Sequence, residues 1–550
     1  MPGQLKYALL HEDGSLTSKV TSQVPVSYVG HVIFDRLTTY GNRPLFVDGP
    51  DGKVHSASQV KDLVTKLALG LLDLGVKEED VIFGFCPNSV IYGSMILAVP
   101  SIGATFTGCQ YTHPKMDFYY QANGSGAKVI LCSNRNMNLA MEVADGIPSV
   151  KFLINMDGDQ RQVTPMGKFV IPVNELINRK STPEDAIIPL TPKKLPCEAI
   201  AFIFYSSGST GPPKGVLRTH INTLATTMHS PFKTNGVSGY ITCHQPIPHV
   251  SGVATTLYSA YDGNLCVYND GFQVETFLAS VAKHRIMTAF LAPSAIISLV
   301  NQSNLVKSFD LSSLIYVGTG GAPLPQSVVP SFKQLFKSTR LVQFYASTES
   351  GSISTVPDEV SCTRTCGIPQ PHHRIKIVNQ ENGEALGPNQ VGEIYDQSSD
   401  VSIGYLNRPV ADKENFTSDK KWLKTGDAGY FDEDGLLYIV DRYKEVIKVD
   451  SQQVAPSELE SILLSHESVC EAAVIGIPDN IHGEIPFAFV VVKADANMPT
   501  PAEIVNFVNQ QVAKVKRIRG IKFIHAIPKI SLGKIDRMAL KKYPELVKSF

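Results

Sequence analysis

The stretch Tyr205–His220 reads YSSGSTGPPKGVLRTH and concentrates residues that can bind an anion. Its glycines let backbone N–H groups turn toward a ligand, its hydroxyls can donate to anionic oxygens, and Lys214 supplies a positive charge. The residue types therefore indicate a phosphate site made by Ser206, Ser207, Gly208, Ser209, Thr210, Gly211 and Lys214. A flexible turn with no ligand is the structural alternative for the same composition.

The residues around the lysine exclude a kinase-type phosphate loop. That motif, G-x-x-x-x-G-K-[ST], needs a glycine before its lysine and a hydroxyl after it. Here Pro213 precedes Lys214 and Gly215 follows it, so a backbone donor and the magnesium-binding hydroxyl are both missing. The sequence therefore predicts a phosphate site of another kind.

The elements that must position this loop alternate between helix and strand patterns. A helical apolar spacing over 57–75 is followed by the short apolar runs VIFGF (81–85), ATFTG (104–108) and KVILC (128–132), with helices predicted between them. The run AIAFIFY (199–205) has the composition of a buried strand and leads directly into the loop. This alternation predicts α/β layers around mostly parallel sheets.

The alternation of helices and short parallel strands gives way to a different pattern near residues 436–450. Pro456 is placed to open a helix, two strand runs follow at 470–478 and 486–494, and Ile504, Val508 and Val512 repeat at helical spacing. These features predict a compact α+β unit of about 110 residues, a normal domain size. We therefore expect a large N-terminal domain over 1–441 and a small C-terminal domain over 442–550.

Composition excludes several functional classes. A chain of 550 residues is too long for one ordinary core, and a formal net charge of −1 argues against a surface that follows a nucleic-acid backbone. Nine scattered cysteines do not describe a disulfide framework. Cys362 and Cys366 form a C-x3-C pair, but no second pair accompanies them, so we do not expect a zinc site.

The segment from Val81 to Thr112 contains no charged residue and raises the question of a membrane span. Pro87, Asn88 and Pro100 interrupt this segment, whereas a spanning helix needs about 20 continuous apolar residues. We therefore predict a strand, a buried helix and a second strand, all in the protein core.

Further motifs follow the phosphate loop in a fixed order. They are GTGGAPL at 318–324, YASTES at 345–350, GEIYD at 392–396, KTGDAGYFDEDG at 424–435, IVDRYKEVIK at 439–448, VAPSELE at 454–460 and SLGKIDR at 531–537. This set resembles the adenylate-forming superfamily, which includes acyl-CoA synthetases, 4-coumarate–CoA ligases, beetle luciferases and peptide-synthetase adenylation domains. The resemblance spans nearly the whole chain and implies an N-terminal AMP-binding domain with a small, mobile catalytic lid.

The resemblance implies that ATP binds along these motifs. Thr348 would contact the α-phosphate, and Glu349 would hold Mg²⁺ together with Thr210, because Mg²⁺ prefers oxygen ligands. Tyr345 would face the adenine, and further nucleotide contacts would come from Gly320, Gly321 and Ala322. By residue type alone, Thr348 and Glu349 could instead open a helix as N-cap and first-turn acid.

Two more charged residues are implied at the nucleotide. Asp427 would accept hydrogen bonds from the ribose hydroxyls, and Arg442 would contact ribose and phosphate. Their structural alternatives are a turn aspartate and an exposed connector. Lys444, two residues after Arg442, would be the hinge about which the small domain rotates.

The resemblance also implies a set of catalytic residues. Lys534 would enter the site for adenylation and neutralise charge in the transition state, although by type alone it could be a surface lysine in a glycine-containing turn. His249 would close the acyl pocket during adenylation and then move aside for the thiol. Lys448 and Gln453 would support thioester formation.

The loop between Lys448 and Gln453 departs from the family pattern. Most relatives place a glycine where this chain has Ser451, and Asp450 replaces a neutral or lysine-like residue. A serine forced to a positive φ costs about 1 kcal/mol, and a carboxylate near CoA would repel its phosphates. We therefore expect a change in this loop to affect thioester formation far more than adenylation.

The predicted acyl pocket is small and apolar, with no convergent basic group. Its lining residues are His249, Val250, Gly252, Thr319, Gly321 and Ser350. Such a pocket favours a long-chain fatty or an arylpropenoic acid over a dicarboxylate.

The predicted function is an ATP-dependent acid–thiol ligase with Mg²⁺, ATP and CoA as cofactors. A carboxylic acid would form an acyl-adenylate and pyrophosphate, and CoA would then accept the acyl group to release AMP. Two alternatives remain open, a luciferase-like oxygenase and a non-catalytic sensor of acyl groups or nucleotides. Val250-Ser251-Gly252, in place of a bulky aromatic, disfavours the first, and retention of Lys534 and the charged nucleotide residues disfavours the second.

The termini bear on the expected compartment. The N-terminal residues lack an apolar signal core, so we expect a cytoplasmic protein. Many relatives end in a Ser-Lys-Leu peroxisomal signal, which Lys548-Ser549-Phe550 does not match, so import into peroxisomes would lack its usual signal.

Overall fold

The computed structural model describes residues 3–158, 160–179, 188–206, 212–230, 241–360, 364–450, 452–479, 481–493, 497–529 and 535–543. Within these ranges a large α/β region with three many-stranded sheets is followed by a smaller α+β region. This arrangement confirms the predicted fold class.

Most strands of the described residues are short, and the longest lie in the C-terminal part of the chain. In chain order they are β1 (Gly3–Gln4), β2 (Ala8–Leu10), β3 (Ser15–Ser18), β4 (Pro44–Asp48), β5 (Val54–Ser56), β6 (Val81–Phe85), β7 (Thr105–Gly108), β8 (Ala127–Cys132), β9 (Phe152–Asn155), β10 (Gln162–Val163), β11 (Phe169–Pro172), β12 (Ile200–Ser206), β13 (Lys214–Thr219), β14 (Ile241–Cys243), β15 (Cys266–Tyr268) and β16 (Thr288–Phe290). They continue with β17 (Tyr316–Thr319), β18 (Arg340–Gln343), β19 (Ala346–Ser347), β20 (Gly351–Ser352), β21 (Ser354–Thr355), β22 (Ile368–Pro369), β23 (His373–Val378), β24 (Gly392–Ser398), β25 (Leu423–Phe431), β26 (Leu437–Arg442), β27 (Ile447–Val449), β28 (Gln452–Val454), β29 (Val469–Asp479), β30 (Gly483–Val492) and β31 (Gly520–Phe523).

The helices lie between these strands. They are α1 (Val29–Tyr40), α2 (Ala57–Asp73), α3 (Val90–Ser101), α4 (Lys115–Gly124), α5 (Met137–Asp145), α6 (Val173–Ile177), α7 (His220–Met228), α8 (Val250–Asp262), α9 (Val274–His284), α10 (Pro293–Asn301), α11 (Ser303–Val306), α12 (Val329–Leu335), α13 (Pro409–Asn415), α14 (Pro456–Leu464), α15 (Pro501–Asn509) and α16 (Arg537–Lys541).

Two largely parallel sheets form the centre of the large region. One has the order β10-β11-β9-β8-β6-β7-β12-β13, with antiparallel pairing only at its two edges. The other has the order β18-β17-β16-β14-β15-β4-β5, with β5 antiparallel to β4. Residues of α1, α2, α3 and α8 share one hydrophobic cluster with strands of both sheets, so these helices join the sheets as a buried layer.

The charge-free segment forms β6, α3 and β7, as predicted. Every residue of α3 except the half-buried Ile91 is buried, which is the environment expected of a helix that is apolar on all sides. Among the described helices, none combines the length and the apolar character needed to cross a membrane.

The third sheet of the large region is antiparallel and runs β1-β2-β3-β23-β24-β25-β26. It ends at Arg442, and the next strand belongs to a different sheet, in which β28, β27, β30 and β29 are neighbours and β31 pairs with β30. The predicted division into 1–441 and 442–550 lies beside this change of sheet and stays a prediction.

Two details of the smaller region bear on the sequence predictions. Pro456 opens α14, as expected from its fixed φ. Helix α15 ends at Asn509, so Val512 lies beyond the helix although its spacing extended the pattern. Its side chain still packs against the same hydrophobic cluster as Ile504 and Val508.

Candidate active site

The pair β12–β13 carries both flanks of the predicted phosphate loop. Ser206, the last residue of β12, lies opposite Lys214, the first residue of β13. The antiparallel pairing therefore brings the two ends of the loop together. The predicted residues between them, Ser207, Gly208, Ser209, Thr210 and Gly211, lie outside the described residues.

Glu349 lies in the tight turn that joins β19 to β20, not in a helix. Its Oε1 accepts hydrogen bonds from Ser206 Oγ at 3.1 Å and from the Tyr405 hydroxyl at 3.0 Å. Burial, with a further contribution from the charge of Glu349, raises the pKa of Tyr405, so the phenol stays protonated and donates. The structure therefore brings Glu349 to the phosphate loop.

Tyr405 is a residue of this site that the sequence analysis did not single out. Its ring centroid lies 5.5 Å from Lys214 Nζ, within the range of a cation–π contact. It thus contacts the lysine with its ring and Glu349 with its hydroxyl. A single tyrosine in a connecting segment has no spacing that could have indicated this role.

Asp427 lies inside β25 and not in a turn. Its carboxylate accepts a hydrogen bond from the Tyr345 hydroxyl, and its Oδ1 lies 3.0 Å from Arg442 Nε on the neighbouring strand β26. The charge of Asp427 raises the pKa of Arg442, so Arg442 is held as a cation. Tyr345 as a whole residue is only 7% exposed, and no finding tests its predicted contact with adenine.

The GTGGAPL segment follows the end of β17. Thr319 Oγ1 is buried and has no hydrogen-bond partner among the described residues. Gly320 packs so tightly that a Cβ there would lie 2.9 Å from Phe344 O, and Gly321 has a φ of +82°, which favours glycine. Gly321 and Ala322 are exposed. A buried hydroxyl with an open bonding position, next to exposed backbone, fits a surface that contacts a ligand.

His249 caps α8 at its N-terminus. Its Nδ1 accepts a hydrogen bond from Ser251 N at 3.2 Å and lies 2.7 Å from Ser251 Oγ. Val250 is the first residue of α8, and Gly252 packs against Pro246, where a Cβ would lie 2.3 Å from the carbonyl oxygen. Close packing alone therefore explains why residue 252 is a glycine. The predicted acyl pocket stays a prediction.

The residues predicted for the hinge and the thioester step lie in the smaller region. Lys444 and Lys448 are exposed, and Lys448 lies opposite Gln453 in the pair β27–β28. The predicted adenylation lysine, Lys534, lies outside the described residues. Their roles stay predictions.

Val449 pairs with Gln452, so two sequence positions separate β27 from β28, and Asp450 is the first of them. Asp450 has a φ of +49°, and its carboxylate lies 2.8 Å from His482 Nδ1. Two-residue loops of the type that accepts aspartate first need a positive φ at both positions, and glycine is favoured at the second. Ser451 lies outside the described residues.

Comparison with known proteins places this architecture in a family. A family model described as AMP-binding enzyme matches residues 33–406, and one described as AMP-binding enzyme C-terminal domain matches residues 458–534. The probable CoA ligase CCL5 of Humulus lupulus is 32% identical over 504 residues, which cover 90% of this chain and 89% of the relative. The peroxisomal OPC-8:0-CoA ligase 1 of Arabidopsis thaliana is 30% identical over 511 residues, covering 91% and 90%. The 4-coumarate–CoA ligase 3 of the same plant is 30% identical over 524 residues, covering 92% and 90%.

Solved structures share the fold. The anthranilate CoA ligase AuaEII in complex with anthranoyl-AMP matches with a TM-score of 0.83 and 21% identity over 96% of this chain and 99% of that chain. The amide bond synthetase McbA from Marinactinospora thermotolerans matches with a TM-score of 0.80 and 24% identity over 93% and 99%.

The chain therefore belongs to the AMP-binding enzyme family, which confirms the resemblance seen in the motifs. The predicted enzyme class, a CoA ligase, agrees with the names of these relatives.

Proposed function

We propose that the protein activates a hydrophobic carboxylic acid with ATP and transfers the acyl group to CoA. In the first step a carboxylate oxygen attacks the α-phosphorus, the bond to the bridging oxygen breaks, and acyl-adenylate and pyrophosphate form. In the second step the CoA thiol attacks the acyl carbon, AMP leaves and the thiol proton is released. The observation that carries this proposal is the convergence of Ser206, Glu349 and Tyr405 beside Lys214.

Charge neutralisation is the main task of such a site, because both reactants of the first step are anions. Lys214 lies against the ring of Tyr405, whose hydroxyl donates to Glu349. Arg442 is a second cation, and Asp427 holds it in place. Asp427 would accept the ribose hydroxyls, and Thr348 would donate to the α-phosphate. Lys534 would supply a further cation when the small domain closes.

Magnesium fits the groups present. Glu349 is a half-buried carboxylate beside a hydroxyl, and Mg²⁺ prefers oxygen ligands while it keeps several waters. Glu349 would hold the ion, with Thr210 as a second protein ligand. When bound, the ion supplies neutralisation of phosphate charge. The hydroxyls of Ser206 and Tyr405 orient the Glu349 carboxylate.

The thioester step would use the other face of the small domain. Lys448 and Gln453 lie opposite each other beside the Asp450–Ser451 loop, so one movement would bring all of them to the site. The Asp450 carboxylate is engaged with His482. This pairing would reduce the repulsion between Asp450 and the CoA phosphates.

The proposed substrate class is supported by the small size of most predicted pocket residues and by the absence of Lys and Arg among them. One relative is named for 4-coumarate, an arylpropenoic acid, and another for OPC-8:0. We propose a fatty or arylpropenoic acid. A cytoplasmic location also stays a proposal, and one relative is peroxisomal by name.

Acid-dependent exchange of labelled pyrophosphate into ATP tests the first step, and CoA-dependent release of AMP tests the second. A panel of aliphatic and cinnamic acids is compared with short dicarboxylic acids as controls. Exchange without CoA-dependent AMP release would contradict CoA as the acceptor. Oxygen consumption with an adenylated substrate would favour the oxygenase alternative, and no exchange with any acid would favour the sensor.

A further inference from the structure

A buried group of charged residues lies directly beneath the hairpin that carries Glu349. It consists of Arg218 of β13, His373 of β23, Asp396 of β24 and Asp400, and we call it the ion cluster. Each of the four is at most 1% exposed. Charged side chains are buried to this extent only when they are paired, so their mutual contacts matter.

His373 lies between the two carboxylates of the ion cluster. Its Nδ1 is 2.8 Å from Asp396 Oδ1, and its Nε2 is 3.2 Å from Asp400 Oδ2. Only the protonated imidazole can donate from both nitrogens. Burial acts to lower the pKa of His373, but Asp396 and Asp400 outweigh this effect and raise the pKa to about 9. His373 is therefore a cation at neutral pH.

Asp400 is paired on its other side with Arg218, whose Nη2 lies 3.5 Å from Asp400 Oδ1. His372 Nε2 also lies 2.9 Å from Asp400 Oδ2. Two cations thus face two anions, and the ion cluster is neutral as a whole. The candidate ligand atoms of His372, His373 and Asp400 lie within 4.8 Å of one another, which raises the question of a metal site. A divalent metal there would displace one proton from His373 and leave a net positive charge in the core. Charge balance therefore favours a cluster without a metal.

The ion cluster holds the hairpin by two side-chain hydrogen bonds. The Ser350 side chain, which the sequence analysis assigned to the acyl pocket, is fully buried and donates to Asp396, so it points into the ion cluster instead. Arg218 Nη1 donates to the carbonyl oxygen of Thr348 at 3.4 Å. The residues on both sides of Glu349 are thus attached to buried charges.

Close packing adds a third connection. A Cβ on Gly351 would lie 2.5 Å from Thr226 Oγ1 and 3.3 Å from Asp400 Oδ2. The backbone of the hairpin therefore rests directly on the ion cluster, and Thr226 Oγ1 donates to Asp400 at 2.7 Å. Movement of Arg218 or Asp396 would reach Glu349 through Thr348 or Ser350, and movement of Asp400 would reach it through Gly351.

We propose that the ion cluster is a positioning group that holds Thr348 and Glu349 where acid activation needs them. This inference rests on the proposed function, because it assumes that these two residues act on ATP. The side chains of the ion cluster are buried and therefore closed to a substrate. The ion cluster acts by fixing the hairpin, and a loosened hairpin would lower the turnover number while the acid still binds.

The principal test is His373→Gln, which removes the positive charge and leaves two carboxylates facing each other. The double variant His373→Gln with Asp396→Asn restores neutrality and keeps an oxygen that can accept from Ser350. His284→Gln is the matched control, because His284 makes one hydrogen bond to Pro50 O and lies outside the ion cluster. The readouts are turnover number and KM in pyrophosphate exchange, thermal unfolding, and bound metal.

We expect His373→Gln to lower the turnover number of exchange at least about tenfold, because misplaced groups commonly cost one to two orders of magnitude. The KM for the acid should stay within about twofold, and the double variant should recover most of the turnover number. His284→Gln should equal the parent. A merely structural role would lower the folded fraction but would leave the turnover number per folded site unchanged.

The pH profile of the parent enzyme gives a second test that requires no variant to fold. The charged or titratable groups around His373 are Asp396, Asp400, His372, His229 and Arg218. Exchange should fall as the pH rises through about 9, where His373 loses its proton. Because the pKa of His373 is raised in the folded state, its contribution to stability is complete below the ordinary histidine pKa. This contribution is lost as the pH rises through the folded-state pKa. Circular dichroism must therefore confirm that the protein is folded at each pH.

Each outcome decides the proposal. A turnover number of folded His373→Gln within about twofold of the parent overturns it, as does a parent profile that stays flat through the pKa of His373. One equivalent of metal in the parent that is absent from His373→Gln overturns it in favour of a metal site. Absence of exchange by the parent with every acid overturns the proposed function instead, and this inference with it.

Discussion

The sharpest test of the active site is Glu349→Gln. Glu349 accepts hydrogen bonds from Ser206 Oγ at 3.1 Å and from the Tyr405 hydroxyl at 3.0 Å. Glutamine has the same shape and keeps an oxygen that can accept both bonds. The substitution therefore removes little except the negative charge.

The expected magnitudes separate structure from chemistry. A hydrogen bond to a charged acceptor contributes about 1.5–3 kcal/mol and a neutral one about 0.5–1.5 kcal/mol, so weakening two fully buried bonds would cost about 2–3 kcal/mol. Glu349 is half-buried, so we expect the free energy of unfolding to fall by about 1 kcal/mol. Loss of a charged group that stabilises the transition state costs about 3 kcal/mol, which corresponds to roughly a hundredfold lower rate.

The assay is pyrophosphate exchange as a function of magnesium concentration. We expect the Glu349→Gln curve to reach half its maximum at a higher magnesium concentration and to have a lower maximum. Glu175→Gln is the control, because it removes a charge of the same type from the exposed ion pair with Arg161. If the curves of Glu349→Gln and the parent superimpose, Glu349 has only a structural role.

Three further predictions address the other groups. Lys534→Ala should abolish acyl-adenylate formation while ATP binding, measured by calorimetry, stays nearly unchanged; adenylate formation at the parent rate would refute its role. Asp427→Asn weakens the ion pair with Arg442 and the predicted ribose contact, so the KM for ATP should rise about tenfold or more, and an unchanged KM would exclude that contact. Ser451→Gly should leave the rate of pyrophosphate exchange within about twofold of the parent rate. It should speed acyl transfer from preformed adenylate to CoA up to about fivefold, because relief of backbone strain at this position is worth about 1 kcal/mol. A single-turnover transfer rate equal to that of the parent would mean that Ser451 is unstrained.

The sequence by itself determined the family and the order of most elements. The apolar spacing of 57–75 and the strand composition of 199–205 are local patterns, and α2 and β12 formed where those patterns lie. The motifs were equally readable, because each places its residues within a dozen positions. Local patterns could not set the end of α15, since Val512 packs partly buried against the same hydrophobic cluster after the helix has ended.

Only the tertiary structure decided which of these residues meet. Ser206 and Glu349 are 143 positions apart, and their hydrogen bond depends on where β12 ends relative to the β19–β20 hairpin. Tyr405 joins them from a segment without a motif, so no spacing could have predicted it.

The ion cluster shows the same division most clearly. His373, Asp396 and Asp400 are ordinary polar residues in the sequence, and Arg218 lies four positions from the predicted phosphate-binding Lys214 with no sign of burial. Their pairing follows from the register of β23 with β24 and from the packing of both strands' ends beneath the hairpin. Charge pairing in a protein core acts over a few ångströms in space, and sequence distance carries no information about it.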